Sequence, residues 1–546
     1  MAHLVLGPLL RHVGPTDATV WVETDASCEV EVLGHRSRTF HVEGHHFAIV
    51  AVEGLEPGSV YAYEVSLDGR RAWPEPGSEL PASLIRTIDP ESEMKIVFGS
   101  CRVSLPHEPP YTLSSDEDER GRGVDALRTY ALRMLEAEPE QWPHLLLLLG
   151  DQVYADEVSP EALAFIRSRR DTSDPPCEEI ADFEEYTRLY RESWQEPIVR
   201  WLFSTVASAM LFDDHDVHDD WNVSRSWVER MRAKPWWGER IVGAFMSYWL
   251  YQHLGNLSPT DLASDKLLAQ VRQAEDGGPL LREFAARSDR EAKGTRWSFS
   301  RDLGRTRLLG IDCRAGRVLE KGRRAMVDDQ EWQWIVDRTA GDFDHLLLGM
   351  SDPFLLSPGA HHFQAWNEAV NDGIWGKAFA GLAERLREAA DLDHWASFHD
   401  SFARMADLLR AVGAGEHGAP PASIVALSGD VHHAYLAQVA FRRSSGVDSR
   451  VYQVVCSALR NPLDRKERRL VRFTGSRMGE QIGRALASAA RVEDPNIRWR
   501  LLRGPSFENQ IGTLELDGRR ALVRVETALG AANRPALEQV FEHRLA

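Results

Sequence analysis

The chain has few cysteines, no net positive charge and no long apolar segment, and each of these features argues against a class of protein. Its five cysteines are odd in number and widely spaced, which excludes a framework of disulfide bonds. A formal net charge of −19 argues against a general nucleic-acid binder, whose phosphate contacts need a basic face. No segment approaches the roughly 18 apolar residues that span a bilayer.

Several recognisable motifs are also missing. Residues 1–11 lack the basic and apolar regions of a secretion signal and contain no twin-arginine pair. The chain shows no Gly-x-Ser-x-Gly elbow, no phosphate-binding P-loop and no dinucleotide-binding glycine pattern. We therefore expect a soluble protein in a reducing, cytoplasmic setting, with no membrane anchor and no nucleic-acid-binding domain. The length of 546 residues predicts two or three domains.

Residues 1–90 are predicted to form a separate all-β domain. Short alternating stretches, such as 18–23 and 60–67, are separated by turn residues, which is typical of a β-sandwich. The pattern Gly54-Leu55-x-Pro57-x-x-x-Tyr61-x-Tyr63-x-Val65 resembles the corner motif of fibronectin type III-like domains. Residues 88–92 are the predicted linker.

From Lys95 onward, apolar strands alternate with amphipathic helical stretches, which predicts an α/β domain. Its clearest strand is 145–149, five consecutive leucines that suit a strand buried on both faces. Residues 258–293 are polar, and we expect an inserted or flexible segment there. Residues 510–525 are predicted to form a hairpin that turns at Asp517-Gly518.

Acidic and histidine residues follow three of the predicted strands. Asp151 comes after the leucine strand, the sequence DDHDVHDDWN occupies 213–222, and GDVHH occupies 429–433. Adjacent carboxylates at a strand end repel one another unless a cation offsets their charge. Asp430 and His432 lie two residues apart, so in an extended loop they face the same side. We predict that these strand ends converge on one metal site.

Two further residues are candidate metal ligands with ordinary alternatives. Cys101 ends a fourth apolar strand; a lone cysteine there is most often buried filler, but as a thiolate it binds metal. Tyr154 follows Asp151 by three residues, and a tyrosinate suits trivalent iron. Alternatively, Gly150-Asp151 is a simple turn beside a packed tyrosine, and the acidic loop at 213–222 is merely solvated.

Taken together and in order, these motifs resemble the alkaline phosphatase D (PhoD-like) family of the calcineurin-like metallophosphoesterases. The matching stretches are 98–101, 150–156, 213–221 and 428–433, with support from 329–334 and 456–462. The resemblance implies an α/β fold: a four-layer α/β/β/α metallophosphatase core at 94–530, with the polar insertion at 258–293. It also implies an N-terminal fibronectin III-like sandwich at 1–90.

The resemblance implies a hydrolase of phosphoric esters that uses a metal-activated water, as a phosphomonoesterase, a phosphodiesterase or both. The family metals are Fe³⁺ and Ca²⁺, and other divalent metals are possible. The implied metal ligands are Cys101, Asp151, Tyr154, Asp213, Asp214, Asp220, Asn222, Asp430 and His432. His215 is the implied proton donor to the leaving group, Asp151 is the second catalytic residue, and Arg102 and Arg460 are candidate phosphate contacts.

Some residues depart from the family pattern. The family usually shows Asp-Asp-His-Glu and then Asp-Asn-Asn-Trp, whereas this chain has Asp216 and then Asp219-Asp220-Trp221. The added negative charge could alter calcium affinity or metal identity. Residues 351–352 follow a strand but lack the histidine that many relatives hold there. Two alternatives remain: a phosphodiesterase restricted to nucleotide, lipid or polymer diesters, and a non-catalytic, metal-stabilised binding protein.

Overall fold

Only strands occur among the first ten elements of the chain. The structure, a computed structural model, describes residues 1–531 and 534–546. The strands are β1 (Leu4–Val13), β2 (Asp17–Thr24), β3 (Glu29–Val32), β4 (His35–Arg38), β5 (Phe40–Val42), β6 (His45–Glu53), β7 (Val60–Ala62), β8 (Val65–Leu67), β9 (Arg70–Trp73) and β10 (Leu84–Arg86). They form two four-stranded antiparallel sheets, ordered β1-β2-β6-β5 and β4-β3-β8-β9, and a short β7-β10 pair. The predicted all-β N-terminal region is confirmed.

Strands and helices are mixed in the rest of the chain, which confirms the predicted α/β class. The strands are β11 (Met94–Arg102), β12 (Leu145–Leu149), β13 (Ala207–Leu211), β14 (Phe299–Leu303), β15 (Thr306–Ile311), β16 (Val318–Glu320), β17 (Arg323–Ala325), β18 (His345–Met350), β19 (Ser423–Ser428), β20 (Ala434–Ala440), β21 (Arg450–Val455), β22 (Ser457–Arg460), β23 (Arg498–Ser506), β24 (Gln510–Asp517), β25 (Arg520–Ala531) and β26 (Arg534–Arg544).

The helices of the same region surround these strands. They are α1 (Ala126–Leu135), α2 (Pro160–Arg169), α3 (Phe183–Trp194), α4 (Pro197–Thr205), α5 (Arg225–Arg232), α6 (Trp237–Ser247), α7 (Leu254–Asn256), α8 (Pro259–Ser264), α9 (Lys266–Gln273), α10 (Gly278–Arg290), α11 (Asp329–Arg338), α12 (Pro358–Asn371), α13 (Lys377–Ala389), α14 (His399–Gly413), α15 (Arg465–Thr474) and α16 (Arg477–Ala489). A π-helical turn, Tyr248–His253, joins α6 to α7. Among the described residues, no helix combines the length and the hydropathy that crossing a membrane requires.

Two seven-stranded sheets organise this region. In the first, the order is β13-β12-β11-β24-β25-β26, with β22 also paired to β11. The second has the order β14-β15-β18-β19-β21-β20-β23. Side chains of both sheets, such as Leu147, Leu347 and Val425, pack into a single buried cluster between them. The opposite face of the second sheet packs on α11 and α14 through residues such as Ile335 and Phe402.

The five leucines of β12 divide between two cores. Leu145, Leu147 and Leu149 pack toward the second sheet, while Leu146 and Leu148 pack toward the helices on the other side. All five are buried, and β12 pairs in parallel with β11 on one side and β13 on the other. A strand covered on both faces has no polar side, which explains the unbroken leucine run and confirms the predicted strand.

The polar stretch 258–293 was expected to be an inserted or flexible segment. The expectation of a flexible segment is wrong, because these residues form helices. They are α8, α9 and α10. Leu268 and Val271 on α9, and Leu281 and Phe284 on α10, are buried three residues apart on one face of each helix. Each helix is polar on average because only that face is covered, a pattern that overall polarity conceals. By contrast, the hairpin predicted at 510–525 is confirmed as β24 and β25.

The N-terminal sheets share packing with the helices instead of standing apart. Trp21 and Phe47 contact the ring of Tyr251 with centroids 5.3 and 5.6 Å away. The buried guanidinium of Arg11 donates to the carbonyl oxygens of Tyr251 and Gln252 at 2.7 and 2.8 Å. One hydrophobic cluster therefore runs across the junction.

A histidine also joins the two regions. His45 on β6 lies 2.8 Å from Glu23 on β2 and 2.8 Å from Glu184 on α3. Burial lowers the pKa of His45, but the hydrogen bonds with Glu184 and Glu23 outweigh it and raise that pKa to about 9. The folded state therefore holds this histidine charged at neutral pH.

This contact predicts a pH-dependent part of the stability. Since the folded-state pKa lies above the unfolded value of about 6.5, the contribution is complete below pH ~6.5 and is lost as the pH rises through about 9. Urea unfolding of wild type and His45→Gln should differ by roughly 3 kcal/mol more at pH 6 than at pH 9.5. In a Glu184→Gln background, the effect of His45→Gln should depend much less on pH. An effect of His45→Gln in wild type that is the same at both pH values would contradict the raised pKa of His45.

Candidate metal centre

The ends of four strands meet in one buried space. β11, β12 and β13 are adjacent parallel strands of the first sheet, and β19 belongs to the facing sheet. Cys101 lies near the end of β11, and Asp151, Asp213 and Asp430 each lie two residues beyond the ends of β12, β13 and β19. Loops at the carboxyl ends of parallel strands deliver side chains to one edge, which explains how residues distant in sequence come together.

The potential metal ligands form groups that share members. Within each group, one donor atom of each residue lies within 4.8 Å of the others. The groups are Cys101, Asp151 and His432; Asp151, Asp213 and Asp214; Asp213, Asp352 and Asp430; and Asp214, His215 and Asp219. Because Asp151, Asp213 and Asp214 each belong to two groups, the described residues form one connected cluster. We call it the acidic cluster.

The backbone is strained at several of these positions. Cys101, Asp151, Asp430 and His432 have φ angles of 56°, 27°, 63° and 50°. A residue other than glycine in the left-handed region costs roughly 1–3 kcal/mol and persists only where the surrounding structure enforces it. The concentration of such residues at the strand ends indicates that the fold holds the side chains in fixed directions.

Cys101 and Tyr154 both lie close to Asp151 and pack together in one small buried cluster. The Tyr154 hydroxyl donates to Asp151 Oδ2 at 3.2 Å, and the Ser457 hydroxyl donates to Cys101 Sγ at 3.2 Å. Burial and the nearby Asp151 carboxylate raise the pKa values of the Cys101 thiol and the Tyr154 phenol well above their usual ranges. Both groups are therefore protonated unless a cation lies beside them.

Four carboxylates in the cluster have a buried oxygen without a hydrogen-bond donor in the described chain, those of Asp151, Asp213, Asp214 and Asp352. Asp151 Oδ1 and Asp213 Oδ2 are buried, and no donor reaches them among the described residues. Burial above all raises the pKa values of both carboxyls well above their ordinary range. A Cβ added at Gly150 would lie 2.6 Å from Asp213 Oδ2, so glycine is needed for the two loops to approach. Unpaired buried oxygens are costly, and a metal cation is the group that suits them.

A buried arginine that the sequence reading missed lies against the acidic cluster. Arg314 Nε is 2.7 Å from Asp213 Oδ1, and Nη2 is 3.2 Å from an oxygen of both Asp352 and Asp430. Its Nη1 donates to Asp393. The guanidinium is fully buried and offsets part of the negative charge, but it cannot reach Asp151 Oδ1 or Asp213 Oδ2, since both remain unpaired.

A second buried arginine supports the same side of the cluster. Arg317 donates to Asp352 Oδ2 and to Asp393 Oδ2, both at 2.6 Å. Arg314 and Arg317 occupy the loop that follows β15, in the sequence Asp312-Cys-Arg-Ala-Gly-Arg317. The loops after β12, β13 and β19 were predicted to form the site because charged residues directly follow an apolar strand. The loop after β15 shows the same pattern.

His215 is held by a carboxylate at the solvent side of the cluster. Its Nδ1 lies 3.0 Å from both oxygens of Asp156, and its ring centroid is 4.7 Å from that of Tyr154. Burial lowers the pKa of His215, but the charge and hydrogen bond of Asp156, with the charges of Asp214 and Asp151, together outweigh it, so the pKa lies well above its ordinary value. The side chain is 22% exposed and therefore reaches solvent as a protonated imidazolium.

Another histidine, which the sequence reading also missed, pairs with Asp430. His394 Nε2 is 2.8 Å from Asp430 Oδ2, and its Nδ1 is 2.9 Å from the Gln364 amide nitrogen. Burial raises the pKa of Asp430, but the hydrogen bond and charge of His394 lower it to about 2. Asp430 is thus ionised, with one oxygen toward Arg314 and the other toward His394. His394 had no recognisable sequence signal because no strand precedes it.

The remaining predicted ligands lie beside the cluster. The Asp220 backbone N–H donates to Asp214 Oδ2 at 3.2 Å, and the Asn222 amide donates to the Arg314 carbonyl oxygen at 3.1 Å. The Asp220 carboxylate belongs to no ligand group among the described residues, and those groups comprise only histidine, cysteine and aspartate donors, not amides such as Asn222. Both have positive φ angles of 62°, so they shape the loop around the cluster. Their role as metal ligands remains a prediction.

The two predicted phosphate contacts are engaged elsewhere. Arg102 donates to Asp125 Oδ2 and to the Ser193 carbonyl oxygen, both at 2.8 Å. Arg460 is fully buried and donates to backbone carbonyl oxygens, including that of Pro106 at 2.9 Å. A contact with substrate would require these hydrogen bonds to break, which disfavours that role for both arginines.

The burial of Arg314 predicts a strong dependence of stability on this one residue. Arg314→Met should lower the free energy of unfolding by about 3–5 kcal/mol, because it leaves several buried carboxylates without their cation. Added Ca²⁺ should recover part of the loss by binding the same carboxylates. Urea unfolding with Ca²⁺ or with EDTA measures both effects, and the exposed Arg290→Met is the control. A loss below about 1 kcal/mol would contradict this role.

The sharing of Asp151 between two ligand groups predicts a difference between two variants. Asp151→Asn should remove most bound metal of every kind, because its carboxylate faces both groups. Tyr154→Phe keeps the ring against His215 and should mainly reduce the metal next to Cys101. Elemental analysis of purified variants checks both, with the exposed Asp174→Asn as control. Equal metal losses in the two variants would count against a shared ligand.

Comparisons with known proteins bear on the same regions. Residues 128–265 match the family of PhoD-like phosphatases, and residues 1–85 match a domain of unknown function, DUF7800. A solved structure of PhoD aligns with a TM-score of 0.59 at 11% identity, over 99% of this chain and 90% of the other. A maltogenic amylase from S. marinus aligns with a TM-score of only 0.16, at 10% identity over 96% of this chain and 77% of that chain. No curated protein matches the chain.

The family match contains β12, β13 and the loops that carry Asp151, Tyr154 and residues 213–222. The likeness to PhoD extends over both regions and shows a shared fold. Residues 128–265 are thus similar to the PhoD-like phosphatase family, and the chain as a whole is similar to PhoD in fold.

Proposed function

We propose that this chain is a metal-dependent phosphoric ester hydrolase. The observation that carries the proposal is the pair of buried, unpaired oxygens on Asp151 and Asp213, next to a protonated histidine. The family match, whose name describes phosphatases, supports the reaction class. The proposal includes the four-layer α/β/β/α description of the two sheets and their helices, and a fibronectin III-like N-terminal region.

The donor types divide the acidic cluster into two parts. Cys101, Tyr154 and His432 offer sulfur, phenolate and imidazole donors, which suit a transition metal such as Fe³⁺. The carboxylates of Asp213, Asp214 and Asp430 offer oxygen alone, which suits Ca²⁺ or another hard cation. Asp151 would be shared between them. Bound cations would neutralise the phosphate charge and favour attack by water at neutral pH.

The proposed proton donor is His215. Because Asp156 keeps the imidazole protonated and fixes Nδ1, the free Nε2 can donate to the leaving oxygen. Asp156 also accepts the backbone N–H of Asp219 at 2.6 Å, which ties it to the loop that carries His215. Asp156 is a positioning residue, since it acts through His215.

Arg314 and Arg317 hold the carboxylates in place. Each guanidinium binds two or more aspartates from different loops, so the spacing of those loops is fixed before any ligand arrives. Such preorganisation limits the reorganisation needed when charge develops on a phosphate. The phosphodiesterase alternative, restricted to nucleotide, lipid or polymer diesters, uses the same residues.

Replacement of His215 should separate catalysis from metal binding. His215→Ala should lower turnover of phosphate mono- or diesters by about 10²–10⁴-fold while metal content stays unchanged. His218→Ala is the matched control, three residues along the same loop, and should retain near wild-type turnover. Both variants should be assayed on monoesters and diesters side by side, with metals quantified in each sample.

Four results would redirect the proposal. Unchanged turnover in His215→Ala would remove its role as proton donor, and loss of metal would make it a ligand. Absence of ester hydrolysis by the metal-loaded wild type would favour the non-catalytic, metal-stabilised binding protein. Hydrolysis of diesters alone would favour the restricted phosphodiesterase.

A further inference from the structure

Helices α15 and α16 place large apolar side chains in solvent. Leu470 and Phe473 on α15 are 59% and 40% exposed, and Met478 and Ile482 on α16 are 59% and 47% exposed. Each pair is three or four residues apart and so shares a helix face. The turn Gly475-Ser476 joins the two helices, which brings both faces into one hairpin.

The packing of α16 leaves these side chains free. It packs on its neighbours through small residues. A Cβ added at Gly483 would collide with the carbonyl oxygen of Gly359 on α12, and one added at Gly479 would collide with the backbone of Phe473 on α15. None of the ten residues of α15 is buried, so this helix lies on the surface. Within the described chain, nothing covers the exposed apolar side chains of the hairpin.

Basic residues surround the apolar ones. Residues 465–477 contain six basic residues and one acidic residue, a net charge of +5, whereas the whole chain has −19. Across residues 1–531 and 534–546, no carboxylate lies within 4.0 Å of the charged groups of Lys466, Arg469, Arg472 or Arg477. This is a strongly basic surface on an acidic protein.

The hairpin adjoins the acidic cluster. The Arg472 guanidinium lies 4.8 Å from the ring of Phe507, whose centroid is 5.9 Å from that of His433. His433 directly follows His432, one of the grouped ligands. A surface that binds α15 would therefore lie beside the rim of the cluster.

We propose that α15 and α16 form a docking surface for an anionic lipid bilayer. A helix that combines exposed apolar residues with unpaired basic ones lies in the interfacial plane of a membrane, and anionic headgroups attract its charges. The rest of the chain has a net negative charge, which opposes its approach to such a bilayer and favours this basic surface as the side that docks. Docking would hold the rim of the acidic cluster next to the headgroups.

Vesicle binding tests the proposal with the full, metal-loaded chain. Wild type should co-sediment with vesicles of phosphatidylcholine and phosphatidylserine, bind weakly to phosphatidylcholine alone, and dissociate as salt is added. Each basic residue next to an anionic surface contributes about fivefold to binding, so Lys466→Gln with Arg469→Gln should bind about 25-fold more weakly. Met478→Gln with Ile482→Gln should also bind more weakly, by about tenfold.

A matched control separates this surface from general charge effects. Arg290→Gln with Lys293→Gln makes the same charge change at exposed positions on and after α10, and it should bind vesicles as wild type does. Unchanged unfolding midpoints show that all variants are folded. The proposal is overturned if wild type does not bind the anionic vesicles, or if the control weakens binding as much as the hairpin variants. Binding is measured without ester turnover, so it is independent of the proposed reaction.

Discussion

The acidic cluster depends on the ion pairs that Arg314 makes with its aspartates. Several aspartates are buried within a few ångströms of one another, and each would repel the next in a medium of low polarity. The guanidinium brings four of them to fixed positions through its planar set of donors. Arg314 does not pair with every carboxylate oxygen of the acidic cluster. The buried oxygens that remain unpaired favour the binding of a cation. The stability of the cluster and the proposed metal binding would thus both result from one charge imbalance.

The sheets explain why the aspartates can be so close. Three of them lie two residues beyond the ends of β12, β13 and β19, and the registers of β12 and β19 are locked by neighbours on both sides. Leucine side chains on both faces of β12 keep that strand from shifting, because a slip of one residue would exchange its two cores. The strain at Cys101, Asp151, Asp430 and His432 is tolerated since this framework is rigid. The precision of the centre therefore comes from apolar packing some distance from the charges.

Much of this arrangement could be predicted from the sequence, and the limits have physical reasons. The leucine strand, the strand before 213–222 and the hairpin at 510–525 were predictable because apolar runs bounded by turn residues are local signals. The helices at 258–293 were misread because overall polarity hid one buried face on each. Arg314 also follows a strand, but an arginine does not bind metal, so a pattern of acids and histidines after strands does not single it out. His394 could not be found, because its partnership with Asp430 exists only in the folded chain.

The hydrophobic cluster that runs from Trp21 and Phe47 to Tyr251 has a consequence for how the molecule melts. The same cluster includes Leu146 and Leu148 on the strand that delivers Asp151. Separating the N-terminal sheets from the helices would expose that cluster to water at a cost in free energy, so the stabilities of the two regions are coupled. Cation binding at the acidic cluster would then stabilise the N-terminal strands against unfolding as well. A spectroscopic signal from Trp21 would report on metal occupancy at a centre it does not touch.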